Sequence, residues 1–344
     1  MKTRTWTRPG GLPVPLVALV ALVVAACGSG GASTAPTAAS SAPNASSAAS
    51  PAASTASRTL GIVRFSGTDT FSNGAAEGIA KYATDQGWKV IDVDAQGSVD
   101  QANAAITNLV TAGASVIYAS VFPNDALQGG IAAAKAANIP VANWGGGLGD
   151  GVPIAADVGL GDAIAARVVA DMGGEGELLA LGYRPGLPCQ RRETSLLNAV
   201  KGTNIKVTQQ QITIPGQVDS ALQATLGWAA AHPEGSAPKL AVWSCFDDPA
   251  SGAVAALRQL SRKDVLTYGI NGTPDAIALI KAGELTATLW IDGYAQGQEL
   301  GKLLSEALEK GSAFTPIEIG GKTTVVDKAN VDQFLAEHPE LVKQ

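Results

Sequence analysis

Residues 265–281 read VLTYGINGTPDAIALIK, a short apolar run that passes through a polar turn into a second apolar run. The first run predicts a strand over Val265 to Asn271. Thr-Pro-Asp ahead of the second run predicts a helix over Pro274 to Lys281, because Asp and Pro suit the start of a helix. The stretch Phe122 to Ala126 reads FPNDA and also opens a helix directly after a strand. This repeat indicates two similar halves, although helix capping alone would also explain it.

The same alternation continues along the chain, where short apolar strands lie between alanine-rich helices. Such alternation predicts parallel βαβ units with right-handed crossovers. The cycle restarts after the strand from Pro153 to Val158, so we expect an α/β fold with two doubly wound parallel sheets in tandem. Ligands bind such sheets at the carboxyl ends of the strands, and two facing ends would form a cleft. The other predicted strands are Leu60 to Phe65, Trp88 to Asp94, Ser115 to Ser120, Ile139 to Trp144, Leu178 to Tyr183, Lys206 to Ile214, Leu240 to Ser244 and Thr286 to Ile291. The other predicted helices are Ser72 to Gln86, Val99 to Ala112, Asn124 to Asn138, Gly161 to Met172, Cys189 to Val200, Asp219 to His232 and Pro249 to Arg262.

The N-terminal residues 1–26 have the organisation of a secretory signal peptide. Lys2, Arg4 and Arg8 precede an apolar run from Leu12 to Ala26, and about fifteen apolar residues are too few for a membrane-spanning helix. The run ends in Val-Ala-Ala followed by Cys27, which resembles the bacterial lipobox. That resemblance implies that Cys27 is lipidated and anchors the protein to a membrane. The alternative is an ordinary signal peptide in which Cys27 is incidental.

Residues 27–57 predict a flexible tether between this anchor and the folded part. After Cys27 the segment contains no charged or aromatic residue and consists almost wholly of Ser, Ala, Thr, Pro and Gly. Such a tract buries too little apolar surface to offset its ordering entropy. The formal net charge of the chain is −6, and removal of the three basic residues of the signal segment makes it about −9. This acidity argues against a nucleic-acid partner.

From about Thr59 to Val326, nearly all of its folded part, the chain resembles a type I periplasmic solute-binding protein of the ribose and galactose group, which serves an ABC importer. The resemblance is carried by Ile-Pro-Val at 139–141, Ala-Asp at 156–157 and the segment 268–276, YGINGTPDA, which is similar to the family's Gly-Phe-Asp-Gly-Thr-Pro-Asp-Ala. The sequence KAGELTAT at 281–288 continues it. The order and spacing of these pieces are more specific than any one of them.

The resemblance implies two lobes joined by three hinge strands near Asp157, Ile291 and Ile317. Lobe 1 would contain residues 58–156 and 292–318, and lobe 2 would contain residues 157–291 and 319–344. A ligand that contacts both lobes would favour the closed state, which an ABC permease then recognises. We therefore expect a monomeric binding protein for a sugar-like small molecule, held at the outer face of the cytoplasmic membrane.

Four candidate ligand-binding residues fall in the first half of the chain. The resemblance places Phe71 where an aromatic ring stacks on a sugar, and Asp69 where a polar group accepts hydrogen bonds from hydroxyls. Ser120 ends a strand at the expected cleft, as does Trp144, where the family's sugar binders commonly carry Asp-Arg. The alternatives are core packing for the two aromatic residues, a solvated loop for Asp69 and helix capping for Ser120.

The second half contributes the remaining candidates. Arg191 resembles the family arginine that reaches ligand oxygens, but its neighbour Arg192 leaves the register open by one residue. Asn271 replaces a family aspartate, and its side chain offers both an acceptor and donors. Asp247 matches an acid beside the ligand-facing position, with helix capping as the alternative.

Phe246 stands where the family has a ligand asparagine, and Trp290 brings a further indole to a strand end. Together with the missing Asp-Arg pair, these departures favour a more aromatic pocket than a ribose site. A polyol, glycoside, cyclic or cationic ligand remains open.

Cys189 and Cys245 follow neighbouring predicted strands of lobe 2 in an oxidising compartment, so a disulfide between them is possible. Its formation depends on a Cα separation that sequence does not give.

No enzymatic motif competes with this interpretation. The glycine-rich segment Gly147 to Gly151 is followed by Pro153 and a strand, whereas a phosphate-binding loop is followed by a helix. We expect no cofactor, no metal site and no catalytic residue. A ligand sensor that presents its closed form to a membrane receptor or kinase is the remaining alternative.

Overall fold

The computed structural model describes residues 57–342, whose strands form two six-stranded sheets. The strands are β1 (Thr59–Arg64), β2 (Lys89–Asp94), β3 (Val116–Ser120), β4 (Val141–Trp144), β5 (Ile154–Ala156), β6 (Glu175–Gly182), β7 (Asn204–Gln211), β8 (Leu240–Ser244), β9 (Val265–Asn271), β10 (Ala287–Ile291), β11 (Ile317–Ile319) and β12 (Thr323–Asp327). The first sheet has the order β11-β5-β4-β3-β1-β2 and is parallel throughout. The second has the order β12-β10-β9-β8-β6-β7, in which only β12 is antiparallel to its neighbour. The predicted α/β fold with two mostly parallel sheets is confirmed.

Helices flank both sheets, as parallel crossovers require. They are α1 (Thr70–Asp85), α2 (Val99–Thr111), α3 (Gln128–Ala136), α4 (Asp162–Met172), α5 (Leu187–Val200), α6 (Gln217–Ala231), α7 (Asp247–Gln259), α8 (Pro274–Ala282), α9 (Gly293–Lys310) and α10 (Val331–Glu337). We call the first sheet with α1, α2, α3 and α9 the first lobe, and the second sheet with the other helices the second lobe. Between residues 57 and 342, none of these helices has the length and hydropathy needed to cross a membrane.

The central strands are buried on both faces. Every residue of β3, β8 and β10 is buried, whereas β2 and β7 at the sheet edges are mostly exposed or half-buried. The short apolar runs in the sequence therefore correspond to strands covered by helices on both sides.

Helix α9 returns to the first lobe and packs closely on α1. A Cβ atom at Gly78 would lie 2.2 Å from the carbonyl oxygen of Tyr294, and one at Gly297 would lie 2.0 Å from that of Ala75. Glycine at these two positions allows the backbones of the helices to touch.

The chain passes between the two sheets at three places: after β5, after β10 and after β11. The candidate site is built from residues at and after the carboxyl ends of β1, β3 and β4 in the first sheet and of β6, β8 and β9 in the second.

The sequence-based boundary of one helix is wrong. We expected a helix from Asn124, but residues 124–127 form turns and α3 begins at Gln128. The amide of Asn124 does not cap a helix. Its Nδ2 donates to the carbonyl of Gly147, and its Oδ1 accepts from Asn143. These bonds hold the loop after β4 in place.

Candidate functional site

A cavity with about 370 Å³ of empty space, part of it open to solvent, lies between the two lobes. Both lobes line it with residues that follow the carboxyl ends of their strands. The lining residues are Phe65, Asp69, Phe71, Val121, Trp144, Val158, Tyr183, Gly186, Pro188, Cys189, Arg192, Ile214, Phe246 and Asn271.

Aromatic rings form much of the wall. Phe71 and Trp144 meet edge to face, with ring centroids 4.9 Å apart, and Trp144 Nε1 donates to Gln296 Oε1 at 3.0 Å. Phe65 of the first lobe meets Tyr183 of the second at 5.9 Å. The indole nitrogen of Trp144 is thus occupied, so its side chain offers the cavity an apolar surface. Such surfaces pack well on the C–H groups of a ring or polyol chain.

Asp69 provides a buried carboxyl group from the first lobe. It caps α1, where Oδ1 accepts a bond from the backbone N–H of Ser72 at 3.5 Å. Burial raises the pKa of Asp69, while hydrogen bonds from Ser72 and the positive charge of Arg192 lower it. The carboxyl group therefore lies at the cavity wall, where its oxygens are able to accept hydrogen bonds.

Arg192, rather than Arg191, lines the cavity from the second lobe. Its Nε and Nη2 donate to the carbonyl of Val158 at 3.0 and 2.7 Å, and its Nη1 donates to that of Cys245 at 2.7 Å. A guanidinium has five N–H donors, so these three bonds do not exhaust it. Burial lowers the pKa of Arg192 to about 10, against the opposing effects of Asp247, Asp69 and Asp157. The side chain therefore stays cationic at neutral pH in a fixed orientation.

Arg191 lies beside the chain crossings instead. Its Nη1 donates to Asp157 at 2.8 Å and to Glu318 at 3.5 Å. The structure thus answers the register question left open by the sequence, with Arg192 at the cavity and Arg191 in an ion pair next to β5 and β11.

Asn271 ends β9 with its side chain at the cavity, and only 3% of the residue is exposed. Its Oδ1 is buried and has no hydrogen-bond partner among residues 57–342. Its φ of 125° lies in a region that residues other than glycine rarely adopt, and such conformations cluster at binding sites. An unpaired buried acceptor is costly, so it indicates a place where a ligand donor fits.

Asp247 lies behind this position and does not line the cavity. It is fully buried, and its Oδ1 accepts from the Thr288 hydroxyl at 2.6 Å while Oδ2 accepts from the Thr273 N–H at 2.7 Å. Burial raises the pKa of Asp247, and these hydrogen bonds oppose that shift. Its role is to hold the turn after Asn271.

Ser120 and Trp290 are also placed away from the cavity lining. Ser120 is fully buried, and its hydroxyl accepts from the backbone N–H of Phe65 at 3.0 Å. Trp290 packs in a separate aromatic cluster with Phe334 and His338, at 5.4 and 4.3 Å. Phe246, by contrast, lies at the cavity.

Cys189 and Cys245 are joined by a disulfide, with their Cα atoms 5.2 Å apart. Cys189 lines the cavity, and the carbonyl of Cys245 accepts from Arg192. The bond thus connects the start of α5 to the end of β8 directly beside the arginine. Cys27 lies outside the described residues.

Several lining residues were absent from the sequence-based set, notably Phe65, Tyr183 and Pro188. Phe65 and Tyr183 are the expected last residues of two strands, and each directly follows the observed end of its strand, β1 or β6. The rule that ligands bind at carboxyl strand ends could therefore have identified both. Pro188 carries no such signal. Within residues 57–342 there is no cluster of three or more His, Cys, Asp or Glu side chains suited to a metal ion.

The chain belongs to the periplasmic binding protein domain family, which it matches over residues 60–312. It is therefore a non-enzymatic ligand-binding protein of the type I periplasmic binding protein class. The ribose import binding protein of Bacillus subtilis is 28% identical over 73% of this chain and 80% of its own length.

Two solved structures share the fold. An ABC transporter solute-binding protein from Agrobacterium vitis with bound allitol has a TM-score of 0.74 and 23% identity, covering 82% of this chain and 99% of that protein. An ABC transporter solute-binding protein from Mycobacterium smegmatis with bound glycerol has a TM-score of 0.70 and 23% identity, covering 81% of this chain and 96% of that protein.

Proposed function

We propose that this protein captures a small, uncharged carbohydrate or polyol between its lobes and delivers it to an ABC permease. The observation that carries the proposal is Asn271, which lines a cavity with aromatic walls and whose buried Oδ1 has no hydrogen-bond partner among residues 57–342. A ligand hydroxyl would satisfy this acceptor.

The charges around the cavity support an uncharged ligand. Asp69 brings one carboxyl group from the first lobe and Arg192 one guanidinium from the second, and each influences the pKa of the other. An ion of either sign would disturb this balance, whereas hydroxyl groups both donate to the carboxyl and accept from the guanidinium. The rings of Phe71, Trp144 and Phe246 suit the apolar faces of such a ligand.

The mechanism we propose is closure of two lobes about the three chain crossings. The boundaries are those expected from the sequence, with residues 58–156 and 292–318 moving against residues 157–291 and 319–344. Contacts such as that between Phe65 and Tyr183 enclose the cavity, so a ligand enters only when the lobes separate. A ligand that contacts both lobes then favours the closed state by its differential affinity.

The location we propose is the outer face of the cytoplasmic membrane, with Cys27 as the lipid anchor and residues 28–57 as the tether. The N-terminal sequence supports this assignment, and residues 1–56 lie outside the described residues. Relatives named as ribose import binding proteins support a permease as the partner. The protein would act as a monomer.

A thermal-shift screen over sugars, sugar alcohols, nucleosides and amines tests this proposal. A ligand at about 100 times its Kd stabilises the folded state by roughly 2.7 kcal/mol, so one or more sugars or polyols should raise the Tm clearly. A shift with amines or nucleosides alone, and none with sugars or polyols, would contradict the carbohydrate assignment.

A further inference from the structure

Gln217, the first residue of α6, connects the two lobes outside the cavity. Its Nε2 donates to the backbone carbonyl of Thr68 in the first lobe at 2.8 Å. The same nitrogen donates to Oδ2 of Asp248 in the second lobe at 3.0 Å. Gln217 is 4% exposed and is not one of the residues that line the cavity, so its two bonds lie outside the candidate ligand site.

The two acceptors fix the orientation of the amide. The carbonyl of Thr68 only accepts, and so does the carboxylate of Asp248 once it is ionised, so the nitrogen of the Gln217 amide faces both of them. The amide oxygen then points away and, within the described chain, finds no donor. Asp248 therefore orients Gln217 toward Thr68 at the cost of one unpaired acceptor.

The acceptor on the first lobe is held rigidly. Nδ2 of Asn73 donates to the carbonyls of Ser66 and Gly67 at 3.3 and 3.0 Å, and the N–H of Gly67 donates to Asp94 at 3.1 Å. The carbonyl of Thr68 is the next one along this turn, and it accepts its hydrogen bond from Gln217 of the other lobe.

The backbone just before Gln217 also lies close to the first lobe. A Cβ atom at Gly97 would lie 3.2 Å from the carbonyl oxygen of Ile214, so these two backbone segments pack closely together. Gly97 has a φ of 73°, a conformation that favours glycine. Residues 214–217 of the second lobe thus lie against two loops of the first.

We propose that Gln217, oriented by Asp248, is a latch that stabilises the closed arrangement of the lobes independently of ligand. It is a positioning residue rather than a ligand contact. This inference rests on the proposed hinge closure, and it adds that the closed state is populated before a ligand arrives. The latch would reduce the cost of closure and so raise ligand affinity from outside the site.

The test measures the lobe separation in the ligand-free protein. Spin labels are placed at two exposed positions, Thr107→Cys on α2 and Ala230→Cys on α6, in a Cys27→Ser background, and distances are measured by pulsed electron resonance. Gln217→Glu is nearly isosteric, but it replaces the donating amide nitrogen with an acceptor oxygen that faces the acceptors of Thr68 and Asp248. Gln217→Ala removes the amide altogether. Gln223→Ala, at an exposed position of the same helix, is the matched control.

A wedge variant supplies the reference for the open state. Gly186 has a φ of −100°, which any residue tolerates, and a Cβ atom there would lie 3.2 Å from Val121 of the first lobe. Gly186→Trp should therefore force the lobes apart and show the long distance. Thermal melts and circular dichroism verify that each variant is folded.

The latch predicts a short distance in the wild type and in Gln223→Ala, and a larger long-distance population in both Gln217 variants. The loss of the one hydrogen bond that joins the lobes, from Gln217 to Thr68, should change the ratio of open to closed molecules by about threefold to tenfold. If only the wedge variant lengthens the distance, the hinge exists and the latch does not. If no variant, including the wedge, changes the distance, both the proposed hinge closure and the proposed latch are wrong.

Discussion

Oδ2 of Asp247 accepts a hydrogen bond from the backbone N–H of Thr273 at 2.7 Å, and this bond fixes the turn that follows Asn271. The turn is tightly confined, because a Cβ atom at Gly272 would lie 2.5 Å from Trp290. A fully buried acid behind the cavity therefore fixes the turn that follows Asn271 at the cavity wall.

Replacement of Asp247 by alanine should destabilise the protein. The change leaves the Thr273 N–H and the Thr288 hydroxyl buried without their acceptor, which costs about 2 to 4 kcal/mol in unfolding free energy. Denaturant titration measures the effect. Asp219→Ala is the control, since Asp219 also lies in the first turn of a helix but is exposed. Equal stability of the two variants would show that Asp247 does not hold the turn.

Lysine substitutions at the two adjacent arginines should separate their roles. Lysine keeps the charge but loses the planar fork that Arg192 uses on the carbonyls of Val158 and Cys245. We expect Arg192→Lys to weaken binding of the best ligand from the screen at least tenfold, on the order of 1.4 kcal/mol. Arg191→Lys should change the Kd by less than about threefold. Calorimetric titration of both variants measures the two Kd values. A larger loss of affinity in Arg191→Lys than in Arg192→Lys would show that Arg191 is the arginine at the cavity.

The pH dependence of stability should depend on Asp248. Burial raises the pKa of Asp248 to about 7, aided by the charges of Asp69, Asp247 and Asp275 and opposed by the hydrogen bond from Gln217. An unfolded aspartate has a pKa near 3.9. The folded state therefore binds an extra proton between about pH 4 and 7, and this stabilising contribution is lost as the pH rises through 7.

Asp248→Asn removes this titration. The variant should gain unfolding free energy relative to the wild type at pH 8, on the order of 2 kcal/mol, and this gain should shrink toward pH 4. Denaturant titrations at both pH values measure the difference. A constant difference between variant and wild type across this range would contradict the raised pKa.

The disulfide should contribute strongly to stability. Cys189 and Cys245 are 56 residues apart in sequence, and closing a loop of that length lowers the entropy of the unfolded chain by an amount worth about 4 kcal/mol. The double variant Cys189→Ala/Cys245→Ala should therefore lose several kcal/mol of unfolding free energy, whereas Cys27→Ser should lose none. Identical melting of the double variant and the wild type would show that the bond is absent in solution.

The fold was accessible from sequence because its strands are buried on both faces and read as short apolar runs between helices. The start of α3 was mispredicted, since a Pro-Asn-Asp sequence fits a helix start as well as the turn in which Asn124 is bonded to Asn143 and the carbonyl of Gly147. Local sequence does not reveal such long-range partners.

The candidate site was accessible only in part. Asp69, Phe71 and Asn271 follow strand ends, where topology alone places ligand contacts. The choice between Arg191 and Arg192 depends on helix rotation, and the interior position of Asp247 depends on a bond to Thr288 on another strand. Gln217 had no sequence signal, because its partners Thr68 and Asp248 are far away in the chain.

The central claim is that a small polyhydroxylated ligand binds in the cavity between the lobes and donates a hydrogen bond to Asn271. The most direct test is a calorimetric comparison of the wild type, Asn271→Ala and the exposed control Asn108→Ala, using the sugar or polyol that gives the largest thermal shift. We predict that Asn271→Ala raises the Kd at least tenfold and that Asn108→Ala leaves it unchanged. An unchanged Kd in folded Asn271→Ala would show that the ligand binds elsewhere.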